Sequence, residues 1–374
     1  MAHICDFLIF GGGIAGASLG YRLAPHGKVI LCEMESQPGY HTTGRSAAFY
    51  AETYGGSDIR PLTMRSKEFL KNPPEGFCDV PLITQRGALH IFDEDRRERA
   101  EKICHDMQSL IEGVHMINRQ ELIKLAPILS PTDVAGAICD RDCGDLDVFA
   151  LHQGFLRGFK QCGGDILTDA EMIDAKREKD GWLVNTRKGE VRAKVIINCA
   201  GAWGDVVAER AGIKPIGLMP LRRTMVMVPA KDVDPDGVIV IDLDEDYYFK
   251  PERGKYMVSP ADETLSPACD VQPEAEDVAV AVDKFERATN SKVTRIENSW
   301  AGLRTFAPDR APVIGFDDAC DGFFWSVGQG GYGIQTAPAW SSAAASLILT
   351  GDIPNDLISL GGDKDKYSPS RFRK

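Results

Sequence analysis

The chain has 374 residues, enough for two or three core-sized units, with 43% hydrophobic and 26% charged residues, the balance of an ordinary globular protein. With 43 Lys+Arg against 55 Asp+Glu the formal charge is −12, which argues against a nucleic-acid surface but leaves room for a local basic pocket. Its ten cysteines form no C-x-x-C pair, and the nearest two, Cys139 and Cys143, have no paired histidines after them, so no metal site is expected and the thiols fit a reduced, cytoplasmic protein.

No Lys/Arg-rich segment opens the chain and Asp6 interrupts the approach to the first apolar run, so no secretory signal is expected. No apolar stretch reaches the ~18 residues of a membrane span, and no integral membrane segment is expected. "HICDFLIF", a compact apolar run ended by glycine, predicts a short buried strand. "GIAGASLGYRLAPHG" predicts a helix rich in small residues, and "KVILCE" a second strand ending at Glu33. Gly11, Gly13 and Gly16 stand between first strand and helix at G-x-G-x-x-G spacing, and Glu33 follows 20 residues after Gly13. Gly11 permits a tight turn, Gly13 lets the backbone approach a pyrophosphate, and Gly16 lets the helix pack closely on the strand. The helix N-terminus offers free N–H groups and a positive dipole end, and Glu33 would accept hydrogen bonds from ribose hydroxyls. Alone the glycines are a weak signal; with the helix, the second strand and the acid they point to a dinucleotide, NAD(P) or FAD.

Next, "HTTGRSAAFY" reads as a loop running through Gly44, Arg45, Ser46 and Ala47 into another helix, with Arg45 placed to neutralise or orient the cofactor. A second helix N-terminus near one pyrophosphate suits a long cofactor, and tips the choice towards FAD. "GALHIFD" predicts a strand followed by a charged helical stretch, and a helix is predicted from Val148 to Gln161. Residues 165–177 predict a strand on each side of a bend. "GWLVNTRKGEVRAKVIINCAGAWGD" predicts a strand, a charged turn, a strand and a further buried strand that ends in Ala200 and Gly201, where the backbone can again approach a ligand. Residues 217–300 are rich in β-branched and aromatic runs and predict a mostly antiparallel sheet. The C-terminal part, "GFFWSVGQGGYGIQTAPAWSSAAASLILTG", returns to a strand, a glycine turn and a long small-residue helix, and the tail after Gly351 is expected to be loosely held. The fold class is α/β plus α+β. A Rossmann-like FAD-binding domain is expected over 1–50, 146–215 and 301–360, an antiparallel-sheet substrate-binding domain over 51–145 and 216–300, and a polar tail over 361–374.

"GGGIAGAS", "HTTGRSAAFY", "INCAGAWGD", "GLRTFAPDRAPVIG" and "FFWSVGQGGYGIQTAP" occur in the order seen in the D-amino-acid oxidase-like family of FAD-dependent oxidoreductases, a resemblance spanning roughly 5–345. Through "QPGYHTTGRSAA", "NPPEGFC", "ALHQGFLRG" and "SWAGLRTF" the chain resembles in particular the bacterial FAD-dependent D-arginine dehydrogenases of that family. The resemblance implies a p-hydroxybenzoate hydroxylase-like two-domain fold with a non-covalent, extended FAD whose isoalloxazine lies at the domain interface. It adds Ile14, Ala15, Met34, Thr43, Ala48, Met172, Trp203 and Gly302 to the cofactor contacts. It also adds the turn Gly330, Gly331, Tyr332, Gly333, Ile334, Gln335 and Thr336, which opens a helix facing the flavin pyrimidine carbonyl. A reduced flavin is negative near N1 and O2, and helix N–H groups stabilise that charge. Simple packing competes for Trp203, and His41 in the cofactor loop reads as structural.

An α-amino acid substrate presents a carboxylate, whose natural partner is a bidentate arginine. Arg304 ends a predicted strand at the domain junction. Arg222 and Arg223 are adjacent on another, so one faces in and one out; the resemblance puts Arg223 in the site, and a solvated position suits Arg222. Tyr248 would bind the carboxylate or cap the pocket with Tyr247 facing away, Tyr54 matches a mobile-loop tyrosine, and Gln335 completes the substrate set; ordinary packing competes for each tyrosine. The implied reaction is hydride transfer from Cα of a D-amino acid to flavin N5, giving an imino acid that water hydrolyses to a 2-oxo acid and ammonia, with no obligatory protein base. D-Arginine dehydrogenases hold a carboxylate near the position of Ala88 and a histidine near that of Phe49. Here Phe49, Ala51 and Ala88 make an apolar wall, with Glu52 nearby, so neutral or hydrophobic side chains are expected over cationic ones, whose unpaired burial is costly. The alternatives are a 2-hydroxy acid dehydrogenase or a glycine- or sarcosine-type amine oxidase on the same fold, and a flavin-binding subunit of a larger complex. The expected electron acceptor is a quinone or oxygen, a quinone bringing the protein transiently to the inner membrane face.

Overall fold

The computed structural model describes residues 3–109, 111–129, 132–230 and 233–373. The N-terminal apolar run forms the strand His3–Phe10, flanked in parallel by Val29–Cys32 and Gly189–Asn198. Asp165–Leu167 extends this parallel set on one side, and Phe323–Val327 on the other. Parallel neighbours need a crossover, and the helix Ile14–Leu23 supplies the first. Alternation along His3–Phe10 sends Leu8 and Phe10 to one apolar cluster and Ile9 to another. In the second cluster Ala15 and Leu19 meet Ala339, Trp340 and Ala343 of the helix Gly333–Thr350. The carboxyl ends of the parallel strands share one edge, where an open parallel sheet binds its ligands.

A second, nine-stranded sheet lies across that edge. Met219–Pro229 pairs antiparallel with Asn298–Phe306, from Met219 opposite Phe306 to Met227 opposite Asn298. The sheet continues through Lys255–Ser259, Tyr248–Glu252 and Ile239–Asp242, passes in parallel to Ala88–Phe92, and ends antiparallel at Gly136–Asp140 and Val114–Asn118. One face is covered by the helix Ala275–Thr289, whose Ala281 and Phe285 pack with Val226, Phe249 and Val258. The period-2 alternation of Met219–Pro229 separates its two arginines. Arg222 is buried against Asp277 and Glu274 of the helical layer, and Arg223 lines a cavity on the other face. Arg222 is therefore not the solvated residue expected.

Several local expectations change. "HTTGRSAAFY" forms no second helix: residues 40–45 are turns, and Phe49–Tyr50 is a short strand paired with Gly144–Leu146. The next helix starts only at Gly56, after a left-handed Gly55 with φ 112°. Residues 189–198 form one continuous strand rather than two, because one edge closes an antiparallel ribbon with Gly181–Thr186 while the other runs along His3–Phe10. The helix Ala275–Thr289 and the strands Val114–Asn118 and Gly136–Asp140 are additional to the expected elements. The strand Asn298–Phe306 spans the expected boundary at 300/301. The helix Gly56–Lys71 packs on Gly333–Thr350, with Ser66 Oγ accepting from Ala339 N–H at 3.1 Å. The C-terminal tail is firmly packed. Ile353, Leu357 and Tyr367 are buried with the first sheet's core, Tyr367 Oη donates to the Asp58 carbonyl at 3.1 Å, and Arg371 pairs with Asp309 at 2.7 Å. All ten cysteines are free thiols and six are buried, as their scatter implied.

Candidate active site

A cavity of about 650 Å³ lies between the carboxyl edge of the first sheet and the inner face of the second. Its glycine end is made of backbone. Gly11 has φ 102°, and a Cβ there would stand 2.5 Å from the Cys199 carbonyl oxygen. A Cβ on Gly16 would stand 1.9 Å from the Gly11 carbonyl oxygen, so Gly16 works behind the wall rather than in it. Gly13, the helix N-cap, has no side chain to cap with, and Thr43 Oγ1 instead accepts from Ile14 N–H at 2.9 Å. Glu33 is buried, accepting from the N–H groups of Gly12 and Glu35 at 2.8 and 2.9 Å. Burial pushes its carboxyl above the usual range, against the pull of those two donors.

Ala15, Met34, Ser46, Ala47, Ala48, Met172, Ala200, Gly201 and Gly302 line the same cavity, as do Ile14, Thr43, Trp203 and the turn from Gly330 to Gln335. Gly44 and Thr336 do not. Gly44 closes a turn by donating its N–H to the Gly39 carbonyl at 2.8 Å, and Thr336 Oγ1 donates to the Tyr332 carbonyl at 2.9 Å. Trp203 packs on His41 with ring centroids 4.5 Å apart, and His41 Nε2 meets Glu35 at 2.8 Å. Arg45 lines the wall, but its guanidinium is engaged. It donates to the carbonyls of Val271 and Ala301 at 2.9 and 3.2 Å and pairs with Asp270. It ties the cofactor loop to the second sheet.

The helix Gly333–Thr350 also opens on the cavity without a side-chain cap. Thr305 Oγ1 and Gln329 Nε2, on residues of the same wall, are buried without a protein partner. A backbone cradle at one helix N-terminus and a second bare N-terminus across the cavity fit FAD: the first suits a pyrophosphate, the second a ring that becomes negative on reduction.

The far end is made of side chains. Arg304 is enclosed, and its Nη2 donates to Tyr54 Oη at 2.7 Å. A Cβ on Gly331 would stand 2.1 Å from that Nη2, so the bare backbone at 331 makes room for the guanidinium. Arg223 donates through Nε to the Asp262 carbonyl at 2.9 Å and sits 6.0 Å from the Tyr248 ring centre. Tyr248 Oη donates to Met225 Sδ at 3.4 Å. Phe49, Tyr54 and Tyr248 pack against Ala51, Ala88, Ile239 and Ile241, the apolar wall expected. Glu52 lies outside the cavity, accepting from Tyr50 Oη at 2.8 Å and pairing with Lys67 at 2.7 Å. Gln335 spends its amide inside the wall. Its Oε1 accepts from Ala51 N–H at 3.1 Å, and its Nε2 donates to Thr63 Oγ1 at 3.0 Å and the Tyr54 carbonyl at 3.3 Å. It holds the segment that carries Tyr54.

Among the ionisable residues of the wall that escape the sequence reading are His90, Glu245, Glu263 and Arg310. Burial pulls the His90 imidazole down to about 4, against the nearby Asp242. Burial raises Glu245, partly offset by Arg304 and Arg223. Arg310 stood in the quoted "GLRTFAPDRAPVIG", but no spacing singled it out, and the loop residues Glu245 and Glu263 carry no periodic signal at all.

A Rossmann-like sheet and an antiparallel sheet closed over a glycine-cradled cavity define a two-domain, FAD-binding flavoprotein. Residues 6–347 match the family described as FAD dependent oxidoreductase, DAO. The chain belongs to that family, and FAD is its cofactor. It is 23% identical over 398 residues to human mitochondrial dimethylglycine dehydrogenase, covering 97% of this chain but 44% of that protein, so it spans less than half the relative's length. It is 25% identical over 366 residues to the glycine oxidase of Bacillus licheniformis, covering 94% of this chain and 95% of the relative. The L-proline dehydrogenase structure from P. horikoshii superposes with a TM-score of 0.85 at 22% identity, over 100% of this chain and 99% of that one, which shows a shared fold. Among the described residues no helix is long and apolar enough to cross a membrane.

Proposed function

We propose that the chain oxidises a small α-amino monocarboxylate, with a preference for D-amino acids bearing neutral, apolar side chains. The observation that carries this reading is the convergence of Arg223 and Arg304 on one end of the cavity, beside Tyr54 and Tyr248 and against the apolar wall. FAD, when bound, takes two electrons from the substrate as a hydride. The chain's own residues bind and orient. Arg304 and Arg223 hold the carboxylate, and Tyr54, already accepting from Arg304, keeps its own hydroxyl hydrogen for the same ligand. Burial pushes the Tyr54 hydroxyl up to about 12, so it stays a donor, and His90, near 4, stays neutral. A substrate amine that binds uncharged needs no protein base. Gln335 acts through Tyr54 as a positioning residue.

Three of the similar proteins are named for glycine, dimethylglycine and proline, all α-amino monocarboxylates, which supports one carboxylate per substrate. They also support a second reading, oxidation of glycine or an N-substituted glycine, in which Glu245 would face the amino group. The test is anaerobic bleaching of the flavin band near about 450 nm, the direct readout of cofactor reduction, with neutral D- and L-amino acids, D-arginine, glycine, sarcosine and 2-hydroxy acids. Fast bleaching by neutral D-amino acids and little by D-arginine is expected. Bleaching confined to glycine and sarcosine would establish the second reading, and confined to hydroxy acids would overturn the amine chemistry. No bleaching by any of them would favour a flavin-binding subunit. Reoxidation of the bleached protein by a soluble quinone, compared with air, identifies the acceptor.

A further inference from the structure

The guanidiniums assigned to the substrate carboxylate already share one. Glu263 Oε1 lies 3.1 Å from Arg304 Nη1, 3.0 Å from Arg310 Nη2 and 3.4 Å from Arg223 Nη2. Burial alone would raise this carboxyl, but the three cations outweigh it and hold it ionised below the usual range. The fit is imperfect: one oxygen serves three donors, whereas a carboxylate is best held by two parallel N–H groups from one fork. A free carboxylate entering the cavity can therefore make a better bond to Arg304 or Arg223 than Glu263 does.

The surroundings let Glu263 yield. Asp262, its neighbour, is fixed by the N–H and hydroxyl of Thr224 at 2.6 and 3.0 Å. The backbone is thus pinned, and only the Glu263 side chain, about a third exposed, has to swing. Arg304 and Arg223 are enclosed, but Arg310 is half exposed and stacks 3.8 Å from the Phe306 ring centre. Arg310 is where the displaced carboxylate can rest.

We propose that Glu263 is a resident stand-in for the substrate's carboxylate, holding the arginine cluster together in the substrate-free protein and surrendering Arg304 and Arg223 when substrate arrives. Glu263 then sets carboxylate affinity through competition. A second carboxylate on a substrate would meet Glu263 at the rim, so dicarboxylic amino acids are disfavoured. The inference rests on the reading of Arg223 and Arg304 as the carboxylate holders.

The test is calorimetric titration of the FAD-loaded protein with benzoate, a rigid monocarboxylate that has no amine to oxidise. Removing a charged competitor makes Glu263→Gln bind benzoate about tenfold more tightly. KM for a turned-over amino acid falls by a similar factor while kcat changes less than about twofold, the signature of altered uniform binding. Glu263→Asp, whose charge stops one methylene short, shifts both in the same direction by less. Unchanged or weaker benzoate binding in Glu263→Gln overturns the proposal and makes Glu263 a permanent buttress. Arg304→Met separates the two claims: if it binds benzoate as well as the parent does, the carboxylate assignment itself fails, whatever Glu263 does.

Discussion

The two ends of the cavity are built from different materials. At the glycine end the wall is backbone: Gly11 lies against Cys199 and Ala200, and Gly16 lies under Gly11. At the arginine end it is side chains, with Tyr54, Arg223, Tyr248, Glu263, Arg304 and Arg310 drawn from segments up to 256 residues apart in the chain. A backbone wall tolerates no substitution at its glycines, whereas a side-chain wall can be retuned one residue at a time.

That contrast makes predictions that can break it. The largest effect belongs to Gly16→Ala. Its Cβ meets backbone rather than a movable side chain, so the helix must shift, at a cost of about 3 kcal/mol. The FAD-to-protein absorbance ratio of the purified variant should fall severalfold, and a normal ratio would show that close packing here is not what the cradle needs. Next comes Arg304→Met, which should lower kcat/KM by about two orders of magnitude while FAD content stays normal. Equal losses of FAD and activity would mean that the two ends are one unit.

The smallest effect is the pH response of His90. Its folded-state value near 4 lies below the ordinary 6.5, so between those values the unfolded chain binds the extra proton. Stability from this residue is present above pH ~6.5 and falls as acid is added, by about 2 kcal/mol between pH ~6.5 and ~4.5. Denaturant midpoints of His90→Gln should decline less than those of the parent over that interval, and parallel curves would remove His90 from the account.

The same contrast decides what could be read before the structure. The glycine end was legible because a missing Cβ is itself a letter of the sequence: Gly11, Gly13, Gly16 and Glu33 announce their arrangement by spacing. Alternation on Met219–Pro229 also separated Arg222 from Arg223, although it did not reveal that Asp277 and Glu274 would bury the former. Glu263 and Glu245 were illegible because they sit on loops with no period, and their meaning comes from arginines far away in the chain. The small residues of "TGRSAAF" read as a helix start, but Phe49–Tyr50 was claimed by sheet pairing with Gly144–Leu146. The tail misled for the same reason: its polar composition hid Tyr367, whose burial depends on Asp58 and on the core of the first sheet.

Gly331 shows where such a protein can change its habits. The atoms a methyl group would meet there belong to the flexible end of Arg304, not to backbone. An alanine at 331 would evict the guanidinium while hardly disturbing the fold. Such a variant would pass a screen for solubility, yet have lost its grip on acids. Positions 331 and 304 are thus bound to drift together: a lineage that abandons carboxylate substrates can take its first step at a residue that contributes no functional group.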